Sequence, residues 1–590
     1  MTSLPRPSSA NLGKRESQQR LLACLILVLA VYLTFRPVLS AGFLLWDDDQ
    51  LVFLNQRLQS PTLASLGKFW SETNTCNLGL FSPLSYSLWW CIARVWGLGE
   101  PAFHVSNLIL HGISVLLVFL LLERLLKLSG TTSAILPASA GAMLFGVHPI
   151  QVEAVAWVSG MNNLLAGTFA LLSLLLLSVS VATPARRPQW WGYALATACL
   201  MLGLLAKPSA LVIPLLGWVL LVLVLRKPAR WATTWMLPWA AISIPFIVLG
   251  SAAQPLVDVP YPWWMRFLVA ADTYAFYWLK ILVPYPLVPD YGRNHIVVAN
   301  QWLTQPLWLA TPLLLGLAVV WWRRGWLWPV AVAGLLGLAI APVSGIRPFF
   351  FQIHSTVADR YAYLAMLAPA LSVAALLASQ GRRPIYLFTG AALLALALLA
   401  NRQTRVWSDT FVWTDYVIGR QPTSTIAHSA RASLLHVYGR NTEALNEIDM
   451  ALQYAAGNAK YGHIRAEILM DLGRPGDALR EVTGLIERTP AYQDAYGLLV
   501  DAAEKAGQPA IALDILQTTV RQMPNNAAAH AALASALRLA GMSDQAMEHV
   551  AKALALDPDN TSAMKELLLL SSGRVRTPLD VGKLTVPAPR

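Results

Sequence analysis

Residues 21 to 400 are divided into about eleven apolar runs, each close to the length that carries a helix across a bilayer, and this confines most of the chain to a polytopic membrane protein. The runs cover 21–39, 104–126, 132–147, 162–182, 190–206, 208–225, 231–250, 306–322, 325–342, 359–379 and 384–400. The stretch 190–225 would be about 54 Å long as one helix, too long for a single span. Lys207-Pro208 stands at its middle, so a hairpin is predicted there.

Charge tests this count. The tail before the first run carries Arg6, Lys14, Arg15 and Arg20, and no small-residue cleavage site stands out, so 21–39 reads as a signal anchor with its N-terminus in the cytoplasm. The basic groups Arg124/Lys127, Arg186/Arg187, Arg226/Lys227/Arg230, Arg323/Arg324 and Arg382/Arg383 then all fall on the cytoplasmic side. Residues 265–282 contain Arg266, Asp272 and Lys280 and read as an interfacial helix; counting them as a span would reverse the last two groups. The opposite side collects 41–103, 148–161, Lys207, 251–305, 343–358 and everything after about 401.

Composition agrees. The chain of 590 residues is 56% hydrophobic and 13% charged, against about a quarter charged in soluble domains. Several of its 23 Trp end apolar runs, as an aromatic belt would. The net charge of +12 lies largely in short loops and so does not point to nucleic acid. Cys24 and Cys199 lie inside runs; Cys76 and Cys91 share one outer loop and could pair if it is oxidised.

A second periodicity follows the last run. Gly439, Gly473, Gly507 and Gly541 are 34 apart, as are Ala444, Ala478, Ala512 and Ala546; Pro422, Pro490, Pro524 and Pro558 keep the same register, with Ala456 in the missing slot. Gly ends the first helix of each unit, Ala lets the second pack closely, and Pro marks the turn to the next. This is the pattern of a tetratricopeptide (TPR) solenoid. A half-unit at 410–422 joins it to the last run, and 574–590, with three Pro and no apolar period, is expected to be disordered. Such arrays stack helix pairs around a groove that binds peptides or proteins; the plainer reading is a passive stalk.

Five clusters could carry chemistry, and the charge-derived topology puts all of them on the non-cytoplasmic face. Trp46-Asp47-Asp48-Asp49 sets three carboxylates side by side at a membrane boundary, where mutual repulsion should raise at least one pKa. His148-Pro149-Ile150-Gln151-Val152-Glu153 lies between two runs, where it could be only a polar turn. Lys207-Pro208 is a cation at a helix break, or a snorkelling lysine. The fourth cluster is Pro289-Asp290-Tyr291-Gly292-Arg293-Asn294-His295. The fifth, His354 through Asp359-Arg360-Tyr361, is either an anion site at the mouth of a helix or a structural ion pair. Carboxylate bases and several cations on one face suit transfer of a group from an anionic lipid carrier to a hydroxyl.

The order and spacing of these motifs resemble those of the transmembrane and TPR-containing O-mannosyltransferase family and its bacterial relatives. The resemblance is carried by Asp47-Asp48 with Val52 and Asn55, Phe81-Ser82-Pro83-Leu84, His148-Pro149 with Glu153-Ala-Val-Ala-Trp157, Lys207, Pro286 through Asp290-Tyr291, and Ala358 through Leu364, with TPRs last. It covers roughly 20–570. Met161-Asn162-Asn163 stand where the family often carries a basic and an acidic residue, and Ser82 stands where it usually carries Arg.

The resemblance implies an all-α chain: a polytopic membrane domain of the GT-C glycosyltransferase type, with about eleven spans, followed by the solenoid. The expected boundaries are 1–20 for a cytoplasmic tail, 21–405 for the catalytic domain, 406–573 for the TPRs and 574–590 for the tail. It also implies an inverting transfer of a sugar from a polyprenyl-phosphate carrier to a hydroxyl. Asp47 is the expected base and Asp48 its partner; Lys207, Arg360, His354 and Arg293 would bind the donor phosphate. His148, Glu153, Asp290, Tyr291 and Asp359 would line the sugar or acceptor pocket. Neither a metal nor a cofactor is expected, since the lipid-linked sugar is a substrate. The partners are the bilayer, the lipid-linked sugar and a protein or peptide acceptor held in the TPR groove. The expected location is a bacterial inner membrane with periplasmic TPRs, or an endoplasmic-reticulum membrane with lumenal TPRs. The alternatives are a non-catalytic membrane-anchored TPR scaffold and an O-antigen-type polymerase or ligase.

Overall fold

The computed structural model describes residues 9–72, 81–181, 189–254, 257 and 261–572, and no strand occurs among them. The chain divides into two compact units, Met1–Ser424 and Thr425–Arg590. Arg6, Cys76, Arg186, Arg187 and the tail 574–590 lie outside the described residues.

In the first unit a helix stands at every predicted apolar run. Lys14–Ser40, Glu100–Leu128, Val158–Val181, Ala229–Ala253, Pro306–Arg323 and Arg383–Trp407 are long and apolar enough to cross a membrane. Ile135–Val147 and Pro149–Ala156 form a pair bent by 51°, and Trp190–Ala206, Pro208–Val224, Leu327–Val343 and Leu364–Gln380 are shorter apolar helices. Length and composition alone therefore qualify six of the described helices as spans, or seven with the bent pair. Met265–Leu282 is a separate helix that buries Asp272 and Lys280 and exposes Phe267, Leu279 and Leu282.

Proline sets the breaks. The ring of Pro208 excludes the helical conformation from the residue before it, and Lys207 is extended at φ −158°, ψ 126°. His148, ahead of Pro149, is likewise extended at φ −70°, ψ 133°. Both breaks leave a candidate side chain, Lys207 or His148, at the end of a helix rather than along its side.

Glycine sets how closely the helices approach. A Cβ on Gly167 would meet the Tyr363 ring at 2.5 Å, so only glycine lets that ring lie against Val158–Val181. Small residues at helix contacts serve this purpose in membrane proteins, where backbones must approach without help from water.

The second unit is built of helix pairs, beginning Thr425–Val437 with Asn441–Tyr454 and Ala459–Asp471 with Pro475–Arg488. Pairs Ala495–Lys505/Pro509–Gln522 and Ala527–Leu539/Ser543–Leu556 follow, and Thr561–Ser572 closes the stack. The four periodic glycines adopt φ of 69° to 77°, left-handed caps that favour a residue without Cβ. The four periodic alanines are at most 1% exposed, in the contact between the helices of a pair. The half-unit expected at 410–422 folds as the helix Thr410–Ile418 and belongs to the first unit, which ends at Ser424.

Candidate active site

After the first long helix the chain turns sharply at Asp47, whose φ of 67° lies in the left-handed region. A residue with a Cβ persists there only when its neighbours hold it, and both neighbours of Asp47 are held. The buried carboxylate of Asp48 accepts the Leu44 N–H at 3.0 Å through Oδ2. Its Oδ1 accepts the Ser159 N–H at 2.9 Å and the Ser159 hydroxyl at 2.5 Å. On the other side, the Trp46 ring stacks on Trp157 at 4.5 Å and 9° and on Trp413 at 5.3 Å. The Trp157 indole N–H donates to the Trp46 carbonyl at 3.2 Å. Asp47 itself is half-buried. Burial pushes the Asp48 carboxyl up to about 7, against the opposing pull of the Ser159 and Leu44 bonds.

The Asp47 carboxylate lies within electrostatic reach of Arg360 and Tyr361. Arg360 is buried, and it pairs not with adjacent Asp359 but with Glu153, 207 residues earlier. The guanidinium donates to Glu153 Oε1 and the Arg360 backbone N–H donates to Oε2 at 3.0 Å, so both carboxylate oxygens are engaged. Four rings surround the guanidinium: Phe351 at 4.2 Å, Tyr361 at 4.9 Å, and Trp46 and Trp157 at 5.2 Å. This box fixes the charge in place while the rings keep water from it.

Lys207 completes the group. Its ammonium donates to Asn163 Oδ1 at 2.5 Å and lies 5.5 Å from the Tyr361 ring centre. The residue as a whole keeps some exposure, but among the described residues its ammonium makes no ion pair. Burial, then the nearby Arg360 charge, pull its pKa down to about 7, with Glu153 opposing. Glu153 acts on both cations, and Arg360 already occupies both of its oxygens, which leaves the Asn163 amide as the hydrogen-bond partner of Lys207.

The remaining candidates flank this group. Buried Asp359 accepts the Tyr291 hydroxyl at 2.7 Å. Asp290 accepts the Gly292 N–H at 2.8 Å and the Ser424 hydroxyl at 2.6 Å, which makes it a turn anchor. Arg293 pairs with Asp272 at 2.5 Å rather than standing open as a phosphate ligand. His148 accepts the Ile150 N–H at 3.2 Å through Nδ1 and bonds the Ile281 carbonyl at 3.0 Å through Nε2, so its ring ties two helix ends together. His354 is half-buried beside Phe351, and burial draws its pKa below the ordinary value.

Asp47, Asp48, Glu153, Lys207 and Arg360, singled out from the sequence, thus stand together, and sequence reasoning missed what holds them. Ser159, Trp157 and Trp413 carry no charge pattern. Asn163 stood out only as a departure from the family pattern, yet it is the partner of Lys207.

The tetratricopeptide repeat family model matches residues 469–536 and 505–569. Protein O-mannosyl-transferase TMTC4 of Mus musculus is 32% identical over 151 residues, 23% of this chain and 20% of that protein. Protein O-mannosyl-transferase Tmtc1 of Drosophila melanogaster is 28% identical over 211 residues, 35% of this chain and 23% of that protein. The chain therefore spans about a fifth of the length of the curated relatives it matches. Among solved structures, YrrB, described as a TPR protein with an unusual peptide-binding site, is 18% identical and covers 33% of this chain and 96% of its own, with a TM-score of 0.23. The chain is all-α, carries TPRs and is similar to proteins named as O-mannosyl-transferases, the family its motifs resemble.

Proposed function

We propose that this chain is a membrane glycosyltransferase that moves a sugar from a polyprenyl-phosphate carrier to a hydroxyl of a protein acceptor on the non-cytoplasmic face. The observation that carries this reading is the setting of Lys207, whose ammonium makes no ion pair among the described residues. The ammonium is poorly solvated, lies within reach of the Arg360 charge and donates to the Asn163 amide oxygen, while Arg360 already occupies both oxygens of Glu153. Uncompensated charge of this kind is costly unless a ligand completes it. A phosphate monoanion beside Lys207 and Arg360 would do so, and Asp47 stands next to it as a base.

The reaction is a single inverting displacement. Asp47 accepts the proton of the acceptor hydroxyl, whose oxygen bonds to the sugar's anomeric carbon. The bond from that carbon to the phosphate oxygen breaks, and the electron pair leaves with the lipid phosphate. Lys207 and Arg360 stabilise that phosphate as its charge grows. His354, whose charged form burial disfavours, would add a hydrogen bond to the phosphate. Asp48 sets the direction of Asp47 rather than taking a proton. Asp359-Tyr291 borders the sugar, and Glu153 orders Arg360. The relatives' names make mannose the first sugar to try. In this reading about eleven spans put the site and the TPRs on the same side, and the TPRs hold the acceptor.

The test uses purified full-length protein in lipid nanodiscs with polyprenyl-phosphate mannose and hydroxyl-bearing protein acceptors, with transfer read by mass spectrometry. Wild type should transfer, and Asp47→Asn should transfer about 10²-fold less or worse at equal folded protein. Failure of the wild type with every polyprenyl-phosphate sugar tried would overturn the reading. Full activity in Asp47→Asn would remove the base from the mechanism.

A further inference from the structure

The second unit contains an open cleft of about 270 Å³ whose lining is entirely charged: Arg465, Arg474, Asp477, Arg480, Glu481 and Arg488. Positions 474, 477, 481, 484 and 488 alternate in steps of three and four and so form one stripe along Pro475–Arg488, with Arg465 reaching in from Ala459–Asp471. Four guanidinium groups meet two carboxylates in the cleft lining, and Arg465 also pairs with Asp449 at 2.7 Å outside it. Glu481 receives Arg465 at 2.8 Å, and Asp477 receives Arg474 at 2.5 Å and also Arg480. Arg488 makes no ion pair among the described residues, although it is exposed beside these acids.

The repeat itself provides the control. One period of 34 later, the positions of Arg465, Arg474, Asp477, Arg480, Glu481 and Arg488 are held by Leu499, Gln508, Ile511, Asp514, Ile515 and Gln522; one period earlier they are held by Arg431, Arg440, Glu443, Asn446, Glu447 and Tyr454. The pairs Arg440–Glu443 and Arg431–Glu447 repeat those of Arg474–Asp477 and Arg465–Glu481, whereas Arg480 and Arg488 are basic in this unit alone; the later unit folds with only Asp514 charged at these positions, so the fold of the repeat does not require the cleft's cations. Gly484 adds a second sign. Glycine inside a helix costs about 1 kcal/mol relative to alanine, and its counterpart one period on is Thr518. Here the Arg488 guanidinium lies across the helix over Gly484, 3.1 Å from where a Cβ would sit.

We infer that this cleft is a docking site for an acidic peptide segment, with Arg474, Arg480 and Arg488 binding its carboxylates and Arg465, held by Glu481 and Asp449, forming the floor. Guanidinium forks suit paired carboxylates, and a cleft in which Arg480 and Arg488 add to the paired Arg465 and Arg474 selects against basic segments. The inference rests on the acceptor-capture part of the proposed function and names the chemistry that the solenoid recognises.

The experiment titrates a fluorescent Glu-rich peptide, and the same peptide with Gln for every Glu, into the full-length protein in nanodiscs at low and high salt. The variants are Arg474→Gln and Arg488→Gln, which install the residues that the next repeat already tolerates at these positions. Binding should favour the Glu peptide, weaken with salt, and fall roughly tenfold for each variant. Circular dichroism and donor turnover should stay unchanged. Equal binding of the two peptides, no binding to wild type, or undiminished binding in the double variant would each overturn the inference. Donor turnover is read separately in the same samples, so absence of transferase activity is recognised whatever the peptide does.

Discussion

The side chain expected to take the proton is aimed by residues that touch no substrate. Asp47 holds a left-handed backbone because Asp48 is bonded to Leu44 and Ser159 while Trp46 is stacked between Trp157 and Trp413. Ser159→Ala removes one bond to a buried carboxylate, an interaction of about 1.5–3 kcal/mol. Turnover should fall by about tenfold or more with little change in KM for the donor, and Ser159→Thr should recover much of it. Steady-state kinetics on both variants checks this, and a similar further loss in an Asp47→Asn background would contradict it. Lys207 gives a second test. Its pKa is drawn down to about 7 from 10.5, so the ligand-free site carries this charge below pH 7 and loses it as pH rises. A phosphate ligand restores the charge, so donor affinity should weaken above about pH 7, with proton uptake on binding. Calorimetry in buffers of different ionisation enthalpy reads that uptake, and Lys207→Arg should abolish it. Charge clusters and proline made these positions legible in the sequence. The clamps were not: Trp157 stood in the Glu153 motif without its partner Trp46 being apparent, Ser159 stood in no motif, and both meet their partners across 111 residues.

At the scale of elements, punctuation was the readable part. Lys207-Pro208 and His148-Pro149 marked the breaks because a proline restricts its predecessor whatever the tertiary context. The TPR helix ends were readable for a similar reason, since a left-handed cap calls for glycine. Helix contacts were less readable, because hydropathy reports that a run is apolar and not which side meets a neighbour. Gly167 is a case: its place against Tyr363 emerges only from the packing, and the Tyr363 hydroxyl in turn bonds His111 at 3.1 Å. Gly167→Ala should overpack that contact and cost about 1–3 kcal/mol. Gly390 lies in Arg383–Thr404, and a methyl added there would have nothing within 4 Å, so Gly390→Ala should be neutral or slightly stabilising. Thermal unfolding of both variants in one detergent checks the contrast; equal midpoints would mean that the close approach at Gly167 carries no energy.

For the whole molecule, the order of the parts is well written in the sequence and their boundary less well. The 34-residue register extended the repeats back to 410–422, since Pro422 lies in phase. Packing assigns Thr410–Ile418 to the first unit instead: the Leu45 N–H donates to the Thr410 hydroxyl at 3.2 Å, and Trp413 stacks on Trp46. Periodicity marks where a repeat could be and says nothing about which neighbour buries its apolar side. Two truncations therefore separate acceptor capture from catalysis. Ending the chain after Ser424 removes the solenoid at the compact boundary, and TPR units bury their faces mainly against one another, so the first unit should fold. That protein should still turn over lipid-linked donor with water or a short hydroxyl acceptor. Modification of a protein acceptor should fall sharply, because the solenoid would supply effective concentration, in the millimolar range at best. Ending the chain after Thr404 also removes Trp407 and Trp413, strips one face from the Trp46 stack and takes away the Thr410 bond. Asp47 then loses half of what holds its backbone, and donor turnover should fall about tenfold or more even where the helices remain folded. Equal donor turnover in the two truncated proteins would show that the Trp46 stack does not aim the site, and full acceptor modification without the solenoid would leave the repeats as a stalk.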